Sequence, residues 1–366
     1  MSRSQTVRGR RLAAQLIARP AGRAADVVAW LGAVQAQDYL ASLRAVGLRT
    51  PRATASTIEQ AIADGSIVRT HVFRGTLQYV AREDVRWMLA LVADRVIAGS
   101  ASRYRALGLD ERTLRRAARV LGKATSGAQL TRAEVAAALQ GAGIRTDGQR
   151  LIHIIVRAEL DAEICSGARG GKQQTFAAFD DRVPAAPARS RDHALGELAR
   201  RFFRSRGPAT LRDFMWWTGL RVGDARVGLA AIAGEMEPEA IAGVEYWSFG
   251  SDGAGGRGAE ARKSSAHSAY LLPAFDEYLV GYQDRRAVLH ADHVRLVNAG
   301  GGLLAPCVVV DGRVLGVWRR SLGKAGVAIE FRLFGTADRR ARTAVGEAAE
   351  RYATFVGAPL ASVMTA

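Results

Sequence analysis

Lysine is scarce in this chain of 366 residues. There are four, Lys123, Lys172, Lys263 and Lys324, so 48 of the 52 basic side chains are arginine. Arginine grips phosphate with a planar fork and stacks on bases. A coding bias that also raises alanine and glycine explains the ratio equally well. Acidic residues are few as well, at 35, which leaves a formal charge of +17 and an isoelectric point near 10.9. Coding bias does not explain that excess. A polyanionic partner does, and nucleic acid is the first candidate.

Cysteine is nearly absent. Cys165 and Cys307 stand far apart, with no CxxC pair, disulfide framework or zinc cluster, and too few ligands for an iron–sulfur centre. No cofactor is expected. His290, Asp292 and His293 offer metal-like side chains without a further ligand, and read as a surface loop. No apolar run is long enough to span a bilayer. Met1–Arg11 is polar and basic, with no apolar segment of the signal-peptide kind. A cytoplasmic monomer with no membrane partner is expected. At 48% hydrophobic residues, the chain has material for a substantial core.

Apolar spacing predicts helices over Gly9–Ala18 and Ala24–Val34. Ser56 and Glu59 have capping-box spacing and predict a third helix that closes at Gly65. The period then changes: Ile67–Phe73 alternates, Arg74-Gly75 turns, and Thr76–Val80 returns. Three helices and a basic hairpin are the plan of a winged helix, expected over residues 1–81. After a connecting helix, Arg82–Ile97, the plan recurs as far as residue 182. It comprises Glu111–Leu121, a helix capped by Thr131 with Glu134, Asp147–Glu159, and a hairpin over Ile164–Phe179 with its tip at Gly167–Lys172.

A third copy is expected over residues 190–250. It has Asp192–Arg204, a helix from Thr210 (with Asp213) to Gly219, Gly223–Ile232, and a wing beginning near Val244–Phe249. Val183–Ser190, with Pro184 and Pro187, reads as a linker. Residues 251–366 change character. Ser251–Ser268 is Gly/Ser-rich and carries Arg257, Arg262 and Lys263, the pattern of a mobile basic loop. Leu303–Val310, Asp311-Gly312 and Arg313–Arg319 form a strong hairpin signal. A strand over Val327–Phe334 and an amphipathic helix over Asp338–Val356 follow. The expected class is α+β: about three tandem winged helices and a C-terminal β-rich domain. Winged helices lay their hairpin tips on the DNA backbone. That makes Arg69, Arg74, Arg169 and Lys172 candidate phosphate contacts, with solvated loop tips as the alternative.

One short stretch carries chemistry. Leu31 to Asp38 holds Gln35-Ala36-Gln37, which resembles the Gln-x-Gln catalytic motif of the AlkZ/YcaQ-like winged-helix DNA glycosylases. Arg69–Leu77, Gly207–Trp217, Leu272–Arg285 and Asp311–Arg320 resemble further segments of that family, in order along nearly the whole chain. The resemblance implies tandem winged helices and a β-domain arranged in a C-shape around double-stranded DNA, and hydrolysis of the N-glycosidic bond of N7-alkylguanine. Bulky adducts or interstrand crosslinks come within its reach. The YcaQ-type branch has Asp at the second motif position, so Gln37 places this chain on the AlkZ side. A DNA-probing hairpin is implied near Asn298–Leu303. Arg319 and Arg320, at the end of the last segment, join Asn298 as candidate DNA contacts.

The chemistry suits glutamine. Alkylation at N7 gives the base a positive charge and weakens the glycosidic bond. A neutral amide is no general base, but it can hold a water near the anomeric carbon, and its dipole favours a developing cation. Residues two apart on a helix lie about 200° around the axis. Gln35 and Gln37 therefore share one site only if the helix ends near Val34–Gln37. Asp38 reads as a cap, or as a group that orients a glutamine. Asp276 and Glu277 are candidate supporting carboxylates, with a structural salt bridge to Arg285 as the preferred reading. Trp216 and Trp217 read as packing residues, with intercalation second. No lysine falls in a family-like catalytic stretch, so simple hydrolysis to an abasic site is expected rather than strand cutting. The competing functions are a non-catalytic winged-helix transcription regulator and a binder of structured RNA.

Overall fold

The computed structural model describes residues 3–250, 267–298, 300 and 302–365. The chain opens with α1 (Arg3–Ala14), α2 (Ala24–Leu31), the two-residue strand β1 (Val34–Gln35), α3 (Tyr39–Gly47) and α4 (Ala55–Ala63), then β2 (Ile67–His71) and β3 (Leu77–Ala81). The sheet order is β1-β3-β2. Two expectations change here. Helix α3 is absent from the periodicity reading, and α1 packs against a later helix rather than completing the first unit. The capping box of α4 is Thr54 with Thr57, not Ser56 with Glu59. Glu59 instead accepts from the Tyr39 hydroxyl at 3.1 Å.

Next come α5 (Arg82–Gly99), α6 (Ala101–Ala106), α7 (Glu111–Thr125), β4 (Gln129–Thr131), α8 (Arg132–Gly141), α9 (Arg150–Leu160), β5 (Ile164–Ser166) and β6 (Thr175–Ala178). The order β4-β6-β5 repeats that of the first sheet. Thr131 and Glu134 form the expected capping box. Glu159 of α9 is fully buried and accepts from the backbone N–H and ring of His71, which ties this unit to β2.

After the short α10 (Phe179–Arg182) come α11 (Arg191–Arg206), α12 (Leu211–Thr218), α13 (Val222–Ala230), β7 (Met236–Ile241) and β8 (Val244–Phe249). Val244–Phe249 is thus the second strand of its hairpin, not the start. A lone bridge from Ala209 to Trp247 stands where the other units have a third strand. Helix–strand–helix–helix–hairpin therefore occurs twice in full and once with the first strand cut to one residue. Thr210 and Asp213 cap α12, and Gly219 ends it with φ 73°.

The last part holds β9 (Ala269–Leu272), α14 (Glu277–Val280), α15 (Val294–Val297), β10 (Cys307–Val310), β11 (Arg313–Gly323), β12 (Gly326–Leu333), α16 (Arg339–Val356) and β13 (Leu360–Thr365). The sheet order is β13-β12-β11-β10-β9, with only β13 parallel to its neighbour. Asp311 and Gly312 turn the hairpin with φ 48° and 77°, both positive as a two-residue type I′ turn requires. The expected basic loop over 251–268 lies outside the described residues except for its last two. The cores do not follow the expected boundaries: one cluster runs from Ala33 through Phe73, Met88, Cys165, Phe202 and Trp217 to Tyr282. The architecture is α+β, and no described helix is long and apolar enough to cross a membrane.

Candidate active site

Helix α2 stops because Gly32 takes φ 77°, a conformation that costs glycine little. The chain leaves it extended. Val34 and Ala36 then face the first unit's core beside Val28 and Leu31. Gln35 lies on β1 and Gln37 in the bend that follows it, so neither belongs to a helix. The helical conflict between them does not arise. Asp38 accepts from the Ala41 N–H at 3.0 Å and caps α3, the helix that follows, rather than the one that ends.

The two glutamines differ. Gln35 is 6% exposed and sits opposite Gln78 in the sheet. Its side-chain oxygen accepts from the Thr76 hydroxyl at 3.2 Å, and its backbone N–H donates to Glu277 Oε1 at 2.9 Å. Gln37 is exposed, and its side chain makes no hydrogen bond among the described residues. One amide is held; the other is open to a ligand or water.

Beneath Gln35 lies a buried polar floor. Glu277 is 0% exposed; its Oε2 accepts from Arg206 Nη2 at 2.5 Å and Trp217 Nε1 at 2.9 Å. Arg206, equally buried, donates to the carbonyls of Leu31 at 2.8 Å and Ala33 at 3.2 Å. Its guanidinium lies 4.1 Å from the centre of the Trp217 ring. One ion pair thus grips both the end of α2 and the start of β1. Asp276 is also buried, bound by both Nη atoms of Arg49 at 2.8 and 2.9 Å. The carboxylates do form structural salt bridges, but with Arg206 and Arg49 and not with Arg285. Neither reaches solvent, so neither touches a sugar directly.

Arg285 donates instead to the Leu279 carbonyl at 2.7 Å. Burial, then the nearby Arg74, hold its guanidinium below the ordinary arginine value. Arg74 is exposed at the first hairpin tip and donates to the Trp216 carbonyl at 3.0 Å. Arg69 is buried and spends its guanidinium on the Ala36 carbonyl at 2.9 Å and on Gln174. It braces the glutamine strand and is not free for phosphate. Arg169 lies 4.2 Å from the centre of the Tyr39 ring and 3.8 Å from Glu59, which brings the second hairpin tip to the start of α3. Lys172 on that tip is exposed.

Asn298, Arg319 and Arg320 lie on other elements. Asn298 is exposed and bridges to Leu304, Arg319 pairs with Glu330 at 2.6 Å, and Arg320 lies 5.9 Å from the Tyr352 ring. An open cleft of about 840 Å³ borders Arg285 but not the glutamines; Arg212, Tyr246 and Arg286 also line it. Among the described residues no group of His, Cys, Asp and Glu could hold a metal ion. Sequence reasoning missed Thr76, Arg49 and Arg206, and took Trp217 for a packing residue, with intercalation second, not for a hydrogen-bond donor to Glu277. The one local signal for Trp217 was its place in a family-like stretch.

Residues 28–355 match the family described as "DNA glycosylase AlkZ-like". The chain belongs to the AlkZ-like DNA glycosylases, enzymes that hydrolyse N-glycosyl bonds. It is 26% identical over 314 residues, 81% of either chain, to the interstrand DNA cross-link repair glycosylase of Streptomyces sahachiroi. The solved structure of Streptomyces sahachiroi DNA glycosylase AlkZ shares the fold over the full length of both chains, with a TM-score of 0.80 at 23% identity.

Proposed function

We propose that the chain excises N7-alkylated guanine from duplex DNA, bulky adducts and interstrand crosslinks included, and leaves an abasic site. The three helix–hairpin units are winged helices that embrace the duplex. The observation that carries this reading is the break after α2: Gln35 closes β1 with its amide anchored on Thr76, and Gln37 follows two residues on, exposed and free of hydrogen bonds among the described residues. The anchored amide sets the direction of approach, and the free amide completes the hold on a water aimed at the anomeric carbon. The positive charge of the alkylated base supplies most of the activation, so oriented dipoles suffice. The cross-link repair activity named for the Streptomyces sahachiroi relative supports bulky lesions as substrates.

The test is a panel of duplexes carrying N7-methylguanine, a bulky N7 adduct or a crosslink, each incubated with protein and then treated with alkali. Gln35→Ala and Gln37→Ala should each slow excision by roughly 10²-fold, the scale of losing one oriented dipole, with duplex affinity unchanged. Firm binding with no alkali-labile site on any substrate would leave a DNA-binding regulator instead.

A further inference from the structure

Helix α12 puts two tryptophans side by side and treats them oppositely. Trp217 is fully buried, its ring centre 4.8 Å from that of Phe73 in the turn of the first hairpin. Trp216 points outward and is 42% exposed. Lone surface hydrophobics are ordinary, but this indole is fixed in place. Its Nε1 donates to the Val280 carbonyl at 3.1 Å, so the polar edge is satisfied and the ring cannot swing freely. The Arg74 guanidinium lies 5.7 Å from the ring centre and bonds the residue's own carbonyl. Close approach of that hairpin depends on Gly219, where a Cβ would sit 3.0 Å from Arg74 Cγ. Arg285 donates to the Leu279 carbonyl at 2.7 Å, one residue before the Val280 carbonyl that holds the indole.

The same hairpin leads to the reaction site. Two residues beyond Arg74, Thr76 donates to Gln35. Trp217, next to Trp216, shares Glu277 with the Gln35 backbone. A rigid, half-exposed aromatic face flanked by two cations therefore borders the glutamine strand. Two cations repel one another unless an anion enters between them, and a flat apolar ring among them wants a flat π surface attached to that anion.

We propose that Trp216 is a stacking platform for a planar aromatic group displaced from the duplex beside the glutamines, with Arg74 and Arg285 holding the attached backbone phosphate. The group is an unstacked base or an aryl substituent carried by the lesion. The platform selects for bulky or distorted sites over intact helix. This rests on the reading that duplex DNA lies against Gln35 and Gln37.

The test needs no catalysis. One duplex carries 2-aminopurine opposite an abasic site, the second a 7-deazaguanine bearing a pyrenyl group, and the third is fully paired. Wild-type protein should bind all three and quench the emission of 2-aminopurine, pyrene or both. Trp216→Ala should lose that quenching and weaken binding to the responding duplex about tenfold, the lower range of base–aromatic stacking, with fully paired DNA unaffected. Trp216→Phe should restore both. Loss from one probe only assigns the source of the aromatic group. Quenching unchanged in Trp216→Ala, or an equal loss on all three duplexes, overturns the platform. Wild-type protein that binds none of the duplexes overturns the underlying DNA-face reading, and the platform with it.

Discussion

Arg206→Met is the sharpest probe of the floor under the glutamines. Arg206 and Glu277 are both 0% exposed, and their 2.5 Å contact is the ion pair that joins α11 to α14. Removing one partner leaves a carboxylate in a dry interior, which costs about 3–5 kcal/mol. The carbonyls of Leu31 and Ala33 lose a donor as well. Against the 5–15 kcal/mol typical of folded proteins, that is a large fraction. The variant should unfold at much lower urea, and its excision should fall because β1 loses its brace. The companion double variant, Arg206→Met with Glu277→Leu, replaces both charges by apolar groups and should recover much of the stability. It should not recover excision, since replacing Glu277 takes away the acceptor of the Gln35 N–H and Trp217 Nε1, and the Leu31 and Ala33 carbonyls still lack their donor. Urea melts and single-turnover excision on N7-methylguanine DNA check both. A cost under about 1 kcal/mol for Arg206→Met, or excision that returns together with stability in the double variant, would refute the positioning argument.

Three further outcomes are expected. Hydrogen bonds from Arg157 and Arg115 hold the Glu111 carboxyl down from 4.5 to about 2, so its contribution to stability is complete above pH 4.5 and is lost as pH falls toward 2; the gap between wild type and Glu111→Gln in acid unfolding should close over that window. Burial pushes the thiols of Cys165 and Cys307 up to about 12, so alkylating reagents at pH 8 should label neither until the protein unfolds, and rapid labelling of the native protein would contradict it. Borohydride should trap no covalent adduct during excision, in keeping with plain hydrolysis; a trapped complex would point to Lys172, the exposed lysine on the hairpin tip that meets α3.

Local rules were legible in the sequence and distant partnerships were not. Thr131 with Glu134, Thr210 with Asp213, and the Asp311-Gly312 turn all act within a few residues, and each appears where spacing placed it. Helix α3 escaped because Gln37 and Asp38 looked like the tail of α2, when Asp38 opens the next helix. Arg285 was the obvious partner for Asp276 and Glu277 by nearness in sequence. Their real partners lie 227 and 71 residues away, a choice made by tertiary packing that no window of sequence displays. Arg69 looked like a surface cation beside a turn, yet its side chain crosses inward to the Ala36 carbonyl. The resemblance found the glutamines themselves; it said nothing of what holds them.

The bond between the Gln35 backbone and Glu277 spans 242 residues of chain. During synthesis Gln35 leaves the ribosome long before Glu277 exists, and until then β1 has only its pairing with β3 to hold it. Competence to release a base from DNA thus arrives only after Glu277 has been made.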